Sequence, residues 1–225
     1  MGSLQTTFRC LVLLHHLVVM CWLHAFLDGV RGNRNQFVQE LSAFRGVYFT
    51  TWNFVTQIVY FSICVGDAAL GTMLKPNVRA RVKRLQDFTF TTLVFPFTMF
   101  VSTFFWTLFM MDREMVFPKS AEILFPWWMN HSMHSVVLVV VILETLLCRH
   151  QLGASPDLSL VTLFGFFAAY DVVFVTTNIV YGVWLYPVFR ILGSWSLRLL
   201  LLGTANLVIL GFYVFGVKYL FPRHK

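Results

Sequence analysis

The sequence is poor in charge. Only 12% of its 225 residues are Asp, Glu, Lys or Arg, whereas soluble globular domains average about 25%. It also lacks long polar segments and low-complexity tracts. Together these deficits exclude a soluble domain and a disordered tail. Apolar residues make up 58% of the chain, with 25 Phe and 7 Trp among them, and this composition is typical of a protein whose solvent is lipid.

Cysteine is also scarce, and no CxxC pair occurs. The four cysteines lie inside or beside apolar runs: Cys10, Cys21, Cys64 and Cys148. Their number and spacing exclude a disulfide-stapled secreted module and give no indication of a zinc site. We interpret them as small residues of a membrane core. The sequence predicts neither a metal nor a cofactor.

Six apolar runs follow one another along the chain, and all but the first clearly exceed the length of a helix that crosses a ~30 Å hydrocarbon core. Because the runs are continuous rather than alternating, they favour helices over barrel strands. The polar breaks are short, which predicts one domain, residues 1–225: an all-α bundle of six transmembrane helices. We expect Pro96 to kink the third run and Pro187 to end the fifth. The expected bounds are Leu11–Leu27, Val47–Leu74, Phe88–Met111, Ile123–Leu147, Leu158–Leu185 and Ser194–Phe221.

The net charge of +7 comes from 17 basic and 10 acidic residues. The basic residues lie between apolar runs rather than along one amphipathic face, so we interpret them as topology signals and expect no nucleic-acid partner. A cytosolic N-terminus places ten of the 17 on the cytosolic side, including the compact cluster at 75–84 and the tail residues Arg223 and Lys225. We therefore expect both termini in the cytosol, in a multi-pass protein of the endoplasmic reticulum or the plasma membrane.

Polar side chains inside the runs each require a reason, because they are costly in lipid. We assign Asn178 and Asn206 to contacts between helices. Glu144 lies near Arg149, so we expect it to be a solvated partner of that cation. Asp171 lies near the middle of the fifth run; a buried acid at that depth is protonated, paired or functional, and the sequence leaves all three open.

The segment 127–134 contains two histidines, His131 and His134. At this spacing they are about 60° apart on a helix, so both can face the interior of the bundle. A neutral imidazole can act there as a general base, or it can simply bond neighbouring helices together. Thr50, near the start of the second run, falls in the same half of the bilayer. Its expected depth differs from that of His134 by about 10 Å, which helix tilt or a buried loop could close.

Several blocks of residues occur at matching spacing between positions 45 and 190. They are Leu93-Val94-Phe95-Pro96, followed by Phe105-Trp106, then Asp112 to Lys119, Asn130-His131-Ser132-Met133-His134 and Trp184-Leu185-Tyr186-Pro187. With Thr50 seven residues before Gln57, these blocks resemble the androgen-induced gene 1 family of six-span membrane proteins. The resemblance implies a hydrolase that cleaves fatty acid esters of hydroxy fatty acids with a threonine nucleophile and a histidine.

Carried over to this sequence, the resemblance makes Thr50 the nucleophile and His134 the base, although Thr51 directly follows Thr50 and could replace it. A threonine hydroxyl is a weak nucleophile until a base takes its proton. Asn130 and His131 are candidates to stabilise the oxyanion. The implied partner is a lipid ester that enters from the bilayer, while the oligomeric state stays open.

Two alternatives remain open at this stage. The first is a six-span haem protein of the cytochrome b561 type, with axial ligands drawn from His16 or His24 and from His131 or His134. The second is a non-enzymatic membrane scaffold or channel, in which the polar residues only join helices.

Overall fold

The structure, a computed structural model, describes residues 2–122, 124–152 and 156–221, and the regular elements within those ranges are helical. π-helical turns join or extend the helices at Phe90–Val94, Ser132–Val136 and Gly216–Leu220. The α-helices are α1 (Ser3–Gly29), α2 (Gln36–Phe44), α3 (Phe49–Leu70), α4 (Pro76–Thr89), α5 (Phe95–Asp112), α6 (Lys119–Glu122), α7 (Trp127–His131), α8 (Val137–Leu147), α9 (Pro156–Tyr181), α10 (Pro187–Ile191) and α11 (Trp195–Phe215).

Within the described residues, six helical stretches are long and apolar enough to cross a membrane, which confirms the predicted six-span all-α architecture. Ile123, where the fourth run was expected to begin, lies outside the described residues, as do Arg223 and Lys225. The spans are Ser3–Gly29, Gln36–Leu70, Pro76–Met115, Trp127–Leu147, Pro156–Tyr181 and Trp195–Leu220.

The fifth span ends earlier than the apolar run predicts. Helix α9 stops at Tyr181 because Gly182 takes a φ of 69°, a left-handed conformation that glycine adopts without a Cβ penalty. The Gly182 N–H still bonds to the Asn178 carbonyl oxygen at 2.8 Å and so caps the helix. Pro187 does not end this helix; it begins the short helix α10 instead.

The third span begins at Pro76, well before the expected Phe88. Proline suits the first turn of a helix, where its missing N–H has no partner to lose. The basic cluster at 75–84 is therefore largely helical, in α4, and not a loop. Further along, the span continues through Pro96, because the preceding π-helical turn Phe90–Val94 absorbs the irregularity that a proline imposes.

A buried charged cluster joins the first, second and fourth spans. Arg9 forms an ion pair with Glu144, and their side chains are 2% and 0% exposed. Tyr60 donates a hydrogen bond to Glu144 Oε1 at 2.5 Å, and His150 Nε2 lies 3.2 Å from the same oxygen. The expectation of a solvated Glu144 paired with Arg149 is wrong. A buried carboxylate requires a close cation and several donors, and only the packed bundle supplies them.

Aromatic side chains fill much of the interior. Phe54, Phe61 and Phe97 are fully buried. Helix α1 packs on α3, and α5 packs on α11. The larger of the two apolar cores contains residues from every span.

Candidate active site

Thr50 and His134 meet inside the bundle. Thr50 Oγ1 lies 3.4 Å from His134 Nε2, and both residues are partly buried. Thr50 lies in the first turn of α3, and His134 lies in the π-helical turn between α7 and α8. The two residues are 84 positions apart in the chain, so only the packing of the second span against the fourth brings them together. Nucleophile and base contacts of this kind are often long before a substrate binds.

The expected difference in depth does not keep the two residues apart, because Thr50 Oγ1 and His134 Nε2 are 3.4 Å from each other. Helix α2 forms the outer part of the second span, so Thr50 lies well inside Gln36–Leu70. The fourth span begins at Trp127, which places His134 only about two turns into it.

The contacts of His134 determine which ring nitrogen faces Thr50. Its Nδ1 lies 3.0 Å from the main-chain carbonyl oxygen of Asn130. Because a carbonyl only accepts, Nδ1 carries the proton of a neutral imidazole and Nε2 presents its lone pair to the Thr50 hydroxyl. The ring stacks on Phe105, with the centroids 3.6 Å apart and 13° between the planes. The stacking restricts rotation of the ring, and the hydrogen bond to the Asn130 carbonyl favours the tautomer in which Nε2 can accept a proton.

Two neighbours of this pair take other partners. The Thr51 hydroxyl donates to the Arg45 carbonyl oxygen at 2.7 Å, so it is bonded to the turn before α3 and not to His134. His131 is exposed and stacks on Trp106. The spacing allowed both histidines to face the interior, but His131 does not. The π-helical turn that starts directly after it has more residues per turn than an α-helix, which changes the angle between the two side chains.

Two tyrosines without a predicted role reach the start of α3. The Phe49 N–H donates to Tyr186 Oη at 2.9 Å and to Tyr170 Oη at 3.2 Å, and the two hydroxyls are 3.3 Å apart. Thr50 lowers the pKa of Tyr186, but this effect is smaller than that of burial. Burial raises the pKa of Tyr186 above its usual value, so the hydroxyl keeps its proton at neutral pH and can donate. The block 184–187 was the sequence signal for Tyr186, but only tertiary packing places it beside Thr50.

A cavity of about 140 Å³ adjoins these groups. Every span contributes to its wall, mainly with Phe, Leu and Val side chains. The polar residues of the wall include Asn130, next to Thr50 and His134 (together called the dyad below), and Asp171 and Asn206 from the fifth and sixth spans. His131 does not line the cavity. Apolar walls with a few convergent polar groups are the usual form of a site for an apolar ligand.

The histidines of the first span have local partners. His16 Nε2 lies 2.9 Å from Gln57 Oε1, and its ring stacks on Phe54. His24 is exposed, and its Nδ1 lies 2.9 Å from the Met20 carbonyl oxygen. Across the described ranges, no group of three or more His, Cys, Asp or Glu side chains is placed to hold a metal ion. His16 and His24 therefore each have a hydrogen-bond partner already.

Comparisons with known proteins agree with the resemblance seen in the sequence. A family model described as FAR-17a/AIG1-like protein matches residues 11–219. The mouse androgen-dependent TFPI-regulating protein is 30% identical over 207 residues, which cover 91% of this chain and 89% of the mouse protein. The human androgen-induced gene 1 protein is 28% identical over 182 residues, 75% of this chain and 76% of its own. No solved structure matches the chain. Neither relative's name states an enzymatic activity.

Proposed function

This chain belongs to the FAR-17a/AIG1-like family, and from that membership we propose that it is an intramembrane hydrolase of lipid esters. The proposed substrates are fatty acid esters of hydroxy fatty acids, the class that the resemblance implies. The observation that carries the proposal is the contact of Thr50 with the lone pair of His134, at the wall of an apolar cavity inside a membrane bundle.

In the proposed mechanism His134 Nε2 removes the Thr50 proton while Oγ1 attacks the ester carbonyl carbon. The tetrahedral intermediate then expels the alkoxide of the hydroxy fatty acid, which takes the proton from the imidazolium. An acyl-threonine ester remains. A water molecule, deprotonated in turn by His134, attacks this ester and releases the second fatty acid and the threonine hydroxyl.

The developing oxyanion requires a donor, and Tyr186 is the group we favour. Its hydroxyl accepts the N–H of Phe49, the residue directly before Thr50, at 2.9 Å, and both Thr50 and Tyr186 line the cavity. A donor already in place costs no reorganisation during the reaction, which is why such groups are effective. Asn130 remains a second candidate because it lines the cavity. His131, exposed and stacked on Trp106, is less well placed for this role.

The substrate is proposed to enter sideways from the bilayer. The cavity lies among spans whose outer faces are apolar, and its own wall is apolar too. A two-chain ester can therefore pass from lipid to the dyad without crossing water. The multi-pass membrane location follows from the six spans. We propose residence in the endoplasmic reticulum or the plasma membrane, with both termini cytosolic and the dyad nearer the opposite face.

The test is hydrolysis of palmitoyl hydroxystearic acid by membranes that contain the protein. We expect the Thr50→Ala and His134→Ala variants to lose activity by at least about 10³-fold, as removal of a nucleophile or base does elsewhere. Thr51→Ala is the matched control, because its hydroxyl is bonded to the Arg45 carbonyl, and it should retain activity. A covalent activity-based probe that reacts with the nucleophilic hydroxyl of serine hydrolases should label wild type and Thr51→Ala but not Thr50→Ala.

Expression and thermal midpoint must match wild type in each variant for the comparison to hold. An active Thr50→Ala variant would overturn the assignment of the nucleophile. Wild-type membranes without ester hydrolysis would overturn the proposed function, and a Soret band in the purified protein would then support the haem alternative.

A further inference from the structure

The cavity contains a second polar pair, contributed by the fifth and sixth spans. Asp171 lies on α9 and Asn206 on α11, and both line the cavity. Asn206 Nδ2 donates to Asp171 Oδ2 at 2.7 Å. Asp171 was the acid that the sequence left open, and the mechanism above does not use it. Its pairing with Asn206 orients the carboxyl group but satisfies only one of its two oxygens.

The second oxygen, Asp171 Oδ1, is buried and has no hydrogen-bond partner among the residues that the structure describes. Leaving a buried acceptor unsatisfied costs about 1–3 kcal/mol, more if the group is charged. Such a group in the wall of an apolar cavity favours any ligand that supplies the missing donor. Asp171 therefore brings an unpaired acceptor to the cavity wall, where the buried Tyr48 hydroxyl is also without a hydrogen-bond partner among the described residues.

The single unpaired oxygen of Asp171 restricts the kind of group that can bind at this residue. An ammonium group brings three donors and a full charge, so Oδ1 would leave two donors unpaired in an apolar wall. A carboxylate would be repelled unless it shared a proton with Asp171. A single O–H group matches one acceptor without leaving a buried donor.

We propose that Asp171, oriented by Asn206, binds an O–H group of the lipid substrate, either a protonated carboxyl or a hydroxyl, while the ester lies at Thr50. The inference rests on the proposed function for the position of the ester, but the binding itself requires no hydrolysis. It narrows the substrate class to esters that carry an O–H donor on one chain. Esters with both ends capped should be the poorer substrates.

The experiment compares three esters: palmitoyl hydroxystearic acid, its methyl ester, and its analogue in which the free carboxyl is reduced to a primary alcohol. We expect the KM of the acid, of the alcohol or of both to be about 3- to 10-fold lower than that of the methyl ester, the worth of one hydrogen bond. A preference for the acid alone identifies the carboxyl as the donor, and a preference that includes the alcohol identifies a hydroxyl as sufficient.

The Asp171→Leu variant should remove this preference, and Asn206→Leu should weaken it, because Asn206 orients the carboxyl. Asn178→Leu is the matched control. It removes a polar side chain from the same helix but lies outside the cavity lining, so it should keep the preference. Equal KM values for the three esters in wild type would overturn the inference. So would a preference for the acid that survives in Asp171→Leu, which would point to Arg45, the cation in the cavity wall.

A binding measurement separates this inference from the proposed function. Non-hydrolysable ether analogues, in acid, alcohol and methyl-ester forms, are added to purified protein in detergent, and the shift in thermal midpoint is measured. A preference that depends on Asp171 in a protein without hydrolase activity would support the inference and refute the function. Hydrolysis by wild type, with equal shifts for the three analogues, would do the reverse. If Asp171→Leu does not fold, the Asn206→Leu variant carries the same test.

Discussion

Replacing Tyr186 by Phe separates the chemistry at Thr50 from the packing around it. The substitution keeps the ring, which packs edge-on against Tyr48, and removes only the hydroxyl. The Phe49 N–H loses its 2.9 Å acceptor but keeps Tyr170 Oη at 3.2 Å, so this amide stays paired, while the Tyr170 hydroxyl loses its 3.3 Å contact with Tyr186. We therefore expect a stability loss of only about 1 kcal/mol, the net worth of a hydrogen bond.

The expected effect on catalysis is larger. Removal of one oxyanion donor lowers kcat by about 10²- to 10³-fold, or roughly 3–4 kcal/mol. Tyr170→Phe is the matched control, since its hydroxyl also bonds to Phe49 N–H and to the other tyrosine. Thr50 acts electrostatically on the Tyr186 hydroxyl but not on the Tyr170 hydroxyl. For Tyr170→Phe we therefore expect a similar stability loss and a kcat close to wild type.

The assay is hydrolysis of palmitoyl hydroxystearic acid by protein reconstituted in vesicles, with kcat and KM determined separately and the thermal midpoint measured in detergent. A kcat that falls equally in both variants would show that the tyrosines act only by packing around α3. A wild-type kcat in Tyr186→Phe would remove the hydroxyl from the mechanism and leave Asn130 as the donor to test.

Three further outcomes follow from the fold. Glu144→Leu should destabilise the protein by about 3–5 kcal/mol because it leaves Arg9 buried without its carboxylate. The double variant with Arg9→Met should recover part of this loss. An unchanged thermal midpoint in the single variant would contradict the buried pair. Gly182→Ala should cost about 1 kcal/mol through its φ of 69° alone, because nothing lies within 4 Å of the added Cβ; a gain in thermal midpoint would count against it. A glycosylation acceptor inserted in the 31–34 turn should be modified, and one in the 72–74 turn should not; the opposite pattern would invert the proposed topology.

The six-span architecture could be predicted from the amino-acid sequence alone. Insertion of a helix into lipid depends on apolar residues summed over about 20 positions, so six runs were sufficient to predict six spans. Its motifs also identified the family and singled out Thr50 and His134. Span boundaries were less accurate, because single residues decide them: Gly182 ended the fifth helix before the apolar run ended, and Pro76 started the third well before its run began.

Which side chains meet depends on how the helices pack, and the sequence did not show this. A change of one residue in helix start rotates a side chain by about 100°, and a π-helical turn changes the angle further. These rotations bring Thr50 rather than Thr51 to His134 and turn His131 outward. The pairings of Arg9 with Glu144 and of Asn206 with Asp171 have the same origin. They join residues from different spans, and the relative depth and rotation of two packed helices is not a property of either helix's own sequence.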